Sequence, residues 1–214
     1  MAAANYVRDL SEYLKAGNLS DLTLIFGEKK WSIHKALVCS HSKWFQKAVT
    51  IGMQETETGV ITLNDDPEFL EAIECMVSYF YNAGYDIPDT ITPKSLLHAQ
   101  VAIIAEKYDC ASLYELSKSS FADTVKAVDS KEWIAIAVVI YKYMTTDLAA
   151  HAEFRKLVIA AVADRPAVLK TMLGEEDTLE TFRSNADLAT DLLLAKPSWD
   201  IKDFAIAPLP GLFR

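Results

Sequence analysis

The sequence predicts an α+β protein in which a small β-sheet packs with several short helices and an all-helical extension follows. Three observations carry this expectation. Apolar residues alternate with period two in three short stretches, Leu22 to Phe26, Trp31 with Ile33, and Val60 to Leu63. Between and after those stretches apolar residues recur at helical spacing, and beyond residue 125 only helical segments remain. With 51% hydrophobic and 24% charged residues, the 214-residue chain carries enough apolar surface for a true core.

The first element is a short amphipathic helix over 6–16, with Tyr6, Val7, Leu10 and Leu14 on one stripe ahead of a Gly17-Asn18 stop. Leu22, Leu24 and Phe26 then alternate with Thr23 and Ile25. After Gly27-Glu28-Lys29 the alternation resumes at Trp31 and Ile33, which predicts a β-hairpin. Leu37, Val38, Trp44, Phe45 and Val49 place two short helices between 35 and 50, divided near Ser40. A third strand follows at Val60 to Leu63. Asp65-Asp66-Pro67 suits a helix start, since proline is tolerated at the first helical position and acids favour the N-terminal end. Phe69, Ile73, Met76, Val77 and Phe80 form that helix's buried stripe. Leu97, Val101, Ile104 and Tyr108 mark the next helix, and Leu113, Leu116 and Phe121 the one after it.

In the second half, Asp129 and Glu132 resemble a capping box ahead of Trp133 to Met144. A helix over Ala149 to Ala163 follows, Pro166 can start a third, and Asp177 with Glu180 can cap a fourth reaching Ala195. The expected division is a mixed domain over 1–125, a helical extension over 126–196 and an irregular tail over 197–214. Pro197, Pro208 and Pro210 keep that tail out of regular helix.

Several function classes drop out on composition. Thirty acidic against twenty-one basic side chains give a net charge of −9, the wrong balance for neutralising a nucleic-acid backbone. The longest apolar run, Ile134 to Tyr141, is far short of a membrane span, and the first residues lack the basic and apolar regions of a secretory signal. Cys39, Cys75 and Cys110 are too few and too far apart for a disulfide framework, so a reducing cytoplasm or nucleus is expected. Cys39 and His41 lie close together but lack a second ligand pair at zinc-like spacing, and the glycines are isolated, so neither a metal site nor a nucleotide cofactor is expected. Asp21 and His34 pair a carboxylate with an imidazole, yet no orienting third group or oxyanion site accompanies them, and a non-enzymatic role is expected.

Four segments carry more specific information. They are Asp21-Leu-Thr-Leu, the stretch from Ile33-His34-Lys35 to Ser42-Lys-Trp-Phe45, the stretch from Ile61 to Asp65-Asp66-Pro67-Glu68-Phe69, and Tyr79 to Gly84. In order and spacing they resemble a BTB/POZ domain over roughly residues 4–122. The Asp-Asp-Pro-Glu-Phe segment and Ala105-Glu-Lys-Tyr-Asp109 resemble the fungal branch of that family. Residues 126–196 resemble a shortened BACK-type helical region.

The resemblance implies a protein-interaction fold, a small sheet covered by helical hairpins, that homodimerises. It implies a dimer interface at Tyr6, Val7, Leu10 and Leu14, with Asp21 and His34 in a nearby polar notch, and a small buried residue at Cys39. Met53-Gln54-Glu55 matches the hydrophobic-x-acid pattern of BTB proteins that bind Cullin-3. The implied cullin surface comprises Phe45, Met53, Glu55, Tyr81 and Tyr85. The expected function is a homodimeric adaptor linking a client protein to a Cullin-3 ubiquitin ligase. A self-association scaffold or transcriptional cofactor without cullin binding is the alternative.

Overall fold

Leu22, Leu24 and Phe26 are buried along Leu22–Phe26 (β1), and the intervening Thr23 and Ile25 are half-covered. In the computed structural model, which describes residues 11–50, 57–91, 93–145, 148–163 and 165–195, β1 is the central strand of a three-stranded sheet. It pairs antiparallel with Lys29–Ile33 (β2), from Leu22 opposite Ile33 to Phe26 opposite Lys29. Gly27 takes φ +54° at the first position of the two-residue loop, a conformation glycine adopts without steric cost. On its other edge β1 pairs in parallel with Val60–Leu63 (β3), Thr23 opposite Val60 and Phe26 opposite Leu63. β2 is an edge strand whose exposed Lys29 and Lys30 discourage pairing with another chain.

The parallel crossover runs through Lys35–His41 (α1) and Lys43–Thr50 (α2). They divide at Ser42, two residues beyond the expected break. The Ser42 hydroxyl accepts from the Phe45 backbone N–H at 3.0 Å and donates to the Tyr108 carbonyl at 2.5 Å. The Ser-x-x-Phe spacing is thus a helix cap, in which the serine oxygen meets an otherwise unpaired amide of the first turn. Asp66 caps the 3-10 turn Pro67–Phe69, which leads into Leu70–Asn82 (α3). Lys94–Lys107 (α4) and Ala111–Thr124 (α5) complete the mixed half.

α4 is buried well beyond the Leu97, Val101 and Ile104 that mark it in the sequence. Leu97, Ala99, Val101, Ala102, Ile103, Ile104 and Ala105 are all buried, so it is a central helix covered on several sides. It ends in a Schellman turn: Asp109 takes φ +50°, its N–H donates to the Glu106 carbonyl, and the Cys110 N–H donates to the Ala105 carbonyl at 2.7 Å. Immediately before that turn, the Lys107 ammonium and Tyr108 hydroxyl both donate to the buried carboxylate of Asp65. The two segments that resemble the fungal branch therefore meet at this carboxylate. Cys75 and Cys110 are buried, which pushes each thiol up to about 12, so both stay protonated and pack as small apolar groups. Cys39, expected in the core, is only half-buried; Val38 fills the interior side of α1 instead.

The chain divides into two compact units, Met1–Phe121 and Ala122–Arg214. In the second, Ser130–Tyr143 (α6) opens with the expected capping box. The Asp129 carboxylate accepts from the Glu132 N–H at 2.9 Å, and Glu132 accepts from the Asp129 N–H at 3.1 Å. Ala149–Ala163 (α7) packs on α6 through Trp133, whose indole N–H donates to the Val158 carbonyl at 2.8 Å. Pro166–Leu173 (α8) follows.

The single helix expected to reach Ala195 is two, Glu176–Ser184 (α9) and Ala186–Leu194 (α10). Asn185 breaks it. Its backbone and side-chain N–H groups and the Ser184 hydroxyl all donate to the Thr181 carbonyl, which closes the first helix. Nor does Asp177 cap this helix: Glu175 precedes it and Asp177 lies in the first turn. Among the described residues no helix is long and apolar enough to cross a membrane.

Candidate functional site

His34 follows β2 in extended conformation and serves as the backbone N-cap of α1, its carbonyl accepting from Leu37 and Val38. Its side chain points inward and is 7% exposed. The Asn18 carbonyl lies 2.7 Å from His34 Nε2, and a carbonyl can only accept, so Nε2 carries the proton. Nδ1, 2.8 Å from the Tyr81 hydroxyl, therefore accepts from that phenol. Burial raises the pKa of Tyr81, and the Asp21 carboxylate adds to the effect, so the phenol keeps the proton it donates.

Asp21 does something else. Its carboxylate accepts from the Lys35 N–H at 2.7 Å and so caps α1, where the helix dipole favours negative charge. Both His34 nitrogens are engaged elsewhere, so Asp21 and His34 form no acid–base pair. They hold the α1 N-terminus to β1 and α3.

The His34–Tyr81 bond spans 47 residues, and its neighbours extend the connection. The Ser11 hydroxyl donates to the Tyr81 carbonyl at 2.9 Å, fastening the helical residues 11–15 to the end of α3. α3 stops at Ala83, which takes φ +52° although it is not glycine, and Gly84 follows. A left-handed alanine costs on the order of 1 kcal/mol. Beyond this corner the Tyr85 hydroxyl lies 2.7 Å from His98 Nδ1. Burial, assisted by the Lys94 charge, pushes His98 down to about 4, and burial pushes Tyr85 up, so a neutral imidazole accepts from a protonated phenol.

This pair gives a pH signature. Between about 6.5, where an unfolded histidine titrates, and about 4, the unfolded chain takes up a proton that folded His98 does not. Stability therefore falls as pH drops through that window. Urea melts at pH 7 and 5 should show a smaller loss for His98→Gln, whose amide oxygen can still accept from Tyr85. An unchanged loss would assign the acid sensitivity to other groups.

A groove of about 820 Å³ runs beside the α3 terminus, and Ser11, Glu12, Leu37, His41, Tyr81 and Tyr85 are among its walls. It brings together residues that the sequence assigned to separate surfaces: Tyr81 and Tyr85 from the expected cullin contact, and the N-terminal helical segment from the expected dimer interface. Leu14 on that segment is half-buried, while Tyr13 and Leu19 are 51% and 79% exposed. Tyr6, Val7, Leu10, Met53 and Glu55 lie outside the described residues.

Phe45 does not belong to this surface. It is fully buried, its ring 5.0 Å from Trp44, 5.7 Å from Phe80 and 5.8 Å from Tyr108 between centroids. It supports the groove from beneath. His41, which sequence reasoning considered only as a metal ligand, forms part of the wall, edge-on to Tyr79 and stacked on Phe80 at 6.1 Å. Its position one turn after Leu37 on the same helical face was the available signal.

A family model described as BTB/POZ domain matches residues 10–125. Among solved structures, the chain is similar to the BTB (Tramtrack and Bric a brac) domain of human gigaxonin, with 15% identity, 54% of this chain and 87% of that chain covered, and a TM-score of 0.42. No curated protein matches the chain.

Proposed function

The chain belongs to the BTB/POZ family, a protein-interaction module, and from that premise we propose that it acts as a homodimeric adaptor linking a client protein to a Cullin-3 ubiquitin ligase. The observation that carries this reading is the groove beside the α3 terminus, where Tyr81 and Tyr85 stand next to the N-terminal helical segment. Tyrosines that offer an apolar body and an anchored hydroxyl suit a protein contact. Exposed Tyr13 and Leu19 on the adjoining stretch favour burial against a second copy, since apolar side chains grouped in water gain by being covered. Met53-Gln54-Glu55 supplies the hydrophobic-x-acid pattern, a side chain for a groove on the cullin and a carboxylate for a nearby donor. A client would be carried by the helical extension or the tail, and two copies in one adaptor would raise the apparent affinity for a client with two sites.

Purified full-length protein mixed with the Cullin-3 N-terminal region should co-elute, with light scattering giving two copies of each. Met53→Asp should weaken the complex by about thirtyfold or more, the loss of a central apolar anchor of about 2 kcal/mol. A dimer that forms no complex at micromolar concentration would replace the ligase reading with that of a self-association scaffold.

A further inference from the structure

The second unit carries an open groove of about 500 Å³ between α7 and α10. Its walls are small or aliphatic along much of their length, with Ala152, Ile159 and Ala163 on α7 and Leu194 on the α10 side, and two of its charged groups, Arg155 and Asp191, face each other at 4.0 Å. Leu193 and Leu194 are 66% and 73% exposed, so two consecutive leucines at the end of a helix face water. Lys156, exposed on the same wall, has no acidic partner among the described residues. Small residues let another backbone approach closely, and with Arg155 and Asp191 facing each other, the Lys156 ammonium at the rim favours an acidic occupant.

We propose that this groove seats the chain's own C-terminal segment, centred on 199–206. Three observations single out that occupant. The described helix ends at Leu194 with Ala195 as its cap, itself a wall of the groove, and Pro197 is a poor continuation of helix, so the remaining segment starts at the groove's edge. The segment places Trp199, Ile201, Phe204 and Ile206 next to Asp200 and Asp203, apolar groups for the alanine-lined floor and carboxylates for Lys156. Reach is sufficient. Ala152 to Ala163 spans ~17 Å of helix, and the nine residues from Lys196 to Phe204 extend to ~30 Å. Tethering gives the segment an effective concentration near millimolar, which a free partner must overcome. The groove is thereby a self-occupied surface, and a client that docks there must displace the tail.

Hydrogen exchange on the full-length chain tests this. In the native protein, amides of Leu192, Leu193 and Leu194 and of 199–206 should be protected independently of protein concentration. Trp199→Ala combined with Phe204→Ala should raise their exchange about tenfold or more, two buried aromatic rings contributing at least that factor. Lys156→Glu should loosen the same amides, and Asp200→Lys with Asp203→Lys in that background should restore them. Exchange unaffected by the aromatic double variant would overturn the proposal, as would protection that grows with protein concentration, which would assign the groove to a second copy.

Discussion

Phe45→Ala is expected to cost the first unit ~3–5 kcal/mol, the range for emptying a fully buried aromatic site. Phe45 is 0% exposed and is ringed by Trp44, Phe80 and Tyr108, so α2, α3 and the C-terminal end of α4 all lose a contact at once. Relaxation into the space is limited because Trp44 is itself edge-on to Tyr108 at 4.9 Å. Phe45→Leu keeps most of the volume and should cost ~1 kcal/mol. Denaturant unfolding with hydrogen exchange as the readout separates the two units and reads the cost on α2 and α3. The pair also resolves a functional ambiguity. If partner binding fails in Phe45→Ala but survives in Phe45→Leu, the loss is one of folding; equal failure in both would return Phe45 to the contact surface.

The second unit is expected to lose ~3–4 kcal/mol in Arg155→Ala. The Arg155 side chain is 5% exposed and joins three helices. Its Nε donates to the Met144 carbonyl at 2.9 Å, its NH1 lies 3.3 Å from Asp187, and its guanidinium stands 4.3 Å over the Tyr141 ring. Truncation orphans a buried carbonyl at the end of α6, worth ~1–3 kcal/mol, and removes a desolvated cation–π contact worth up to ~2 kcal/mol. The ion pair itself adds little, because Asp187 is 67% exposed and water screens it. Asp187→Asn should therefore change stability by less than ~1 kcal/mol. Arg155→Lys should recover less than half the loss, since an ammonium cannot present a planar fork to a carbonyl and a carboxylate together. Full rescue by lysine in a urea melt would mean that charge alone matters at this site.

Much of the architecture was legible because it is written in local chemistry. The Leu22/Leu24/Phe26 alternation, the Asp66-Pro67 start and the Asp129/Glu132 box each need only a few neighbouring residues. Ser42-x-x-Phe45 was legible as spacing, although its reason, a capping bond beneath a buried ring, required the fold. The candidate site was harder to read. His34 and Tyr81 are 47 residues apart, and Asp65 and Tyr108 are 43 apart; no periodicity announces a hydrogen bond across such a separation. α4 was legible only in part for a related reason: alanine carries little hydropathy signal, so the row Ala99, Ala102 and Ala105 did not reveal that a second side of the helix was covered. Asn185 broke an otherwise continuous helical pattern with its own side chain, a competition between local bonds that a 3.6-residue count does not register.

The central position of β1 also bears on how the chain reaches this structure. One of its partners is close at hand, since β2 follows after Gly27 and Glu28 alone. The other has to be fetched from beyond α1 and α2, and each doubling of the intervening loop adds ~0.6 kcal/mol of closure entropy. The hairpin pairing is therefore of the kind that closes in microseconds, whereas the β1–β3 pairing carries the larger closure entropy of the α1–α2 crossover and is expected to form later. The sheet is asymmetric in sequence separation, one edge local and the other distant, and a chain in which β3 had not yet paired would leave a row of β1 amides open to any other strand.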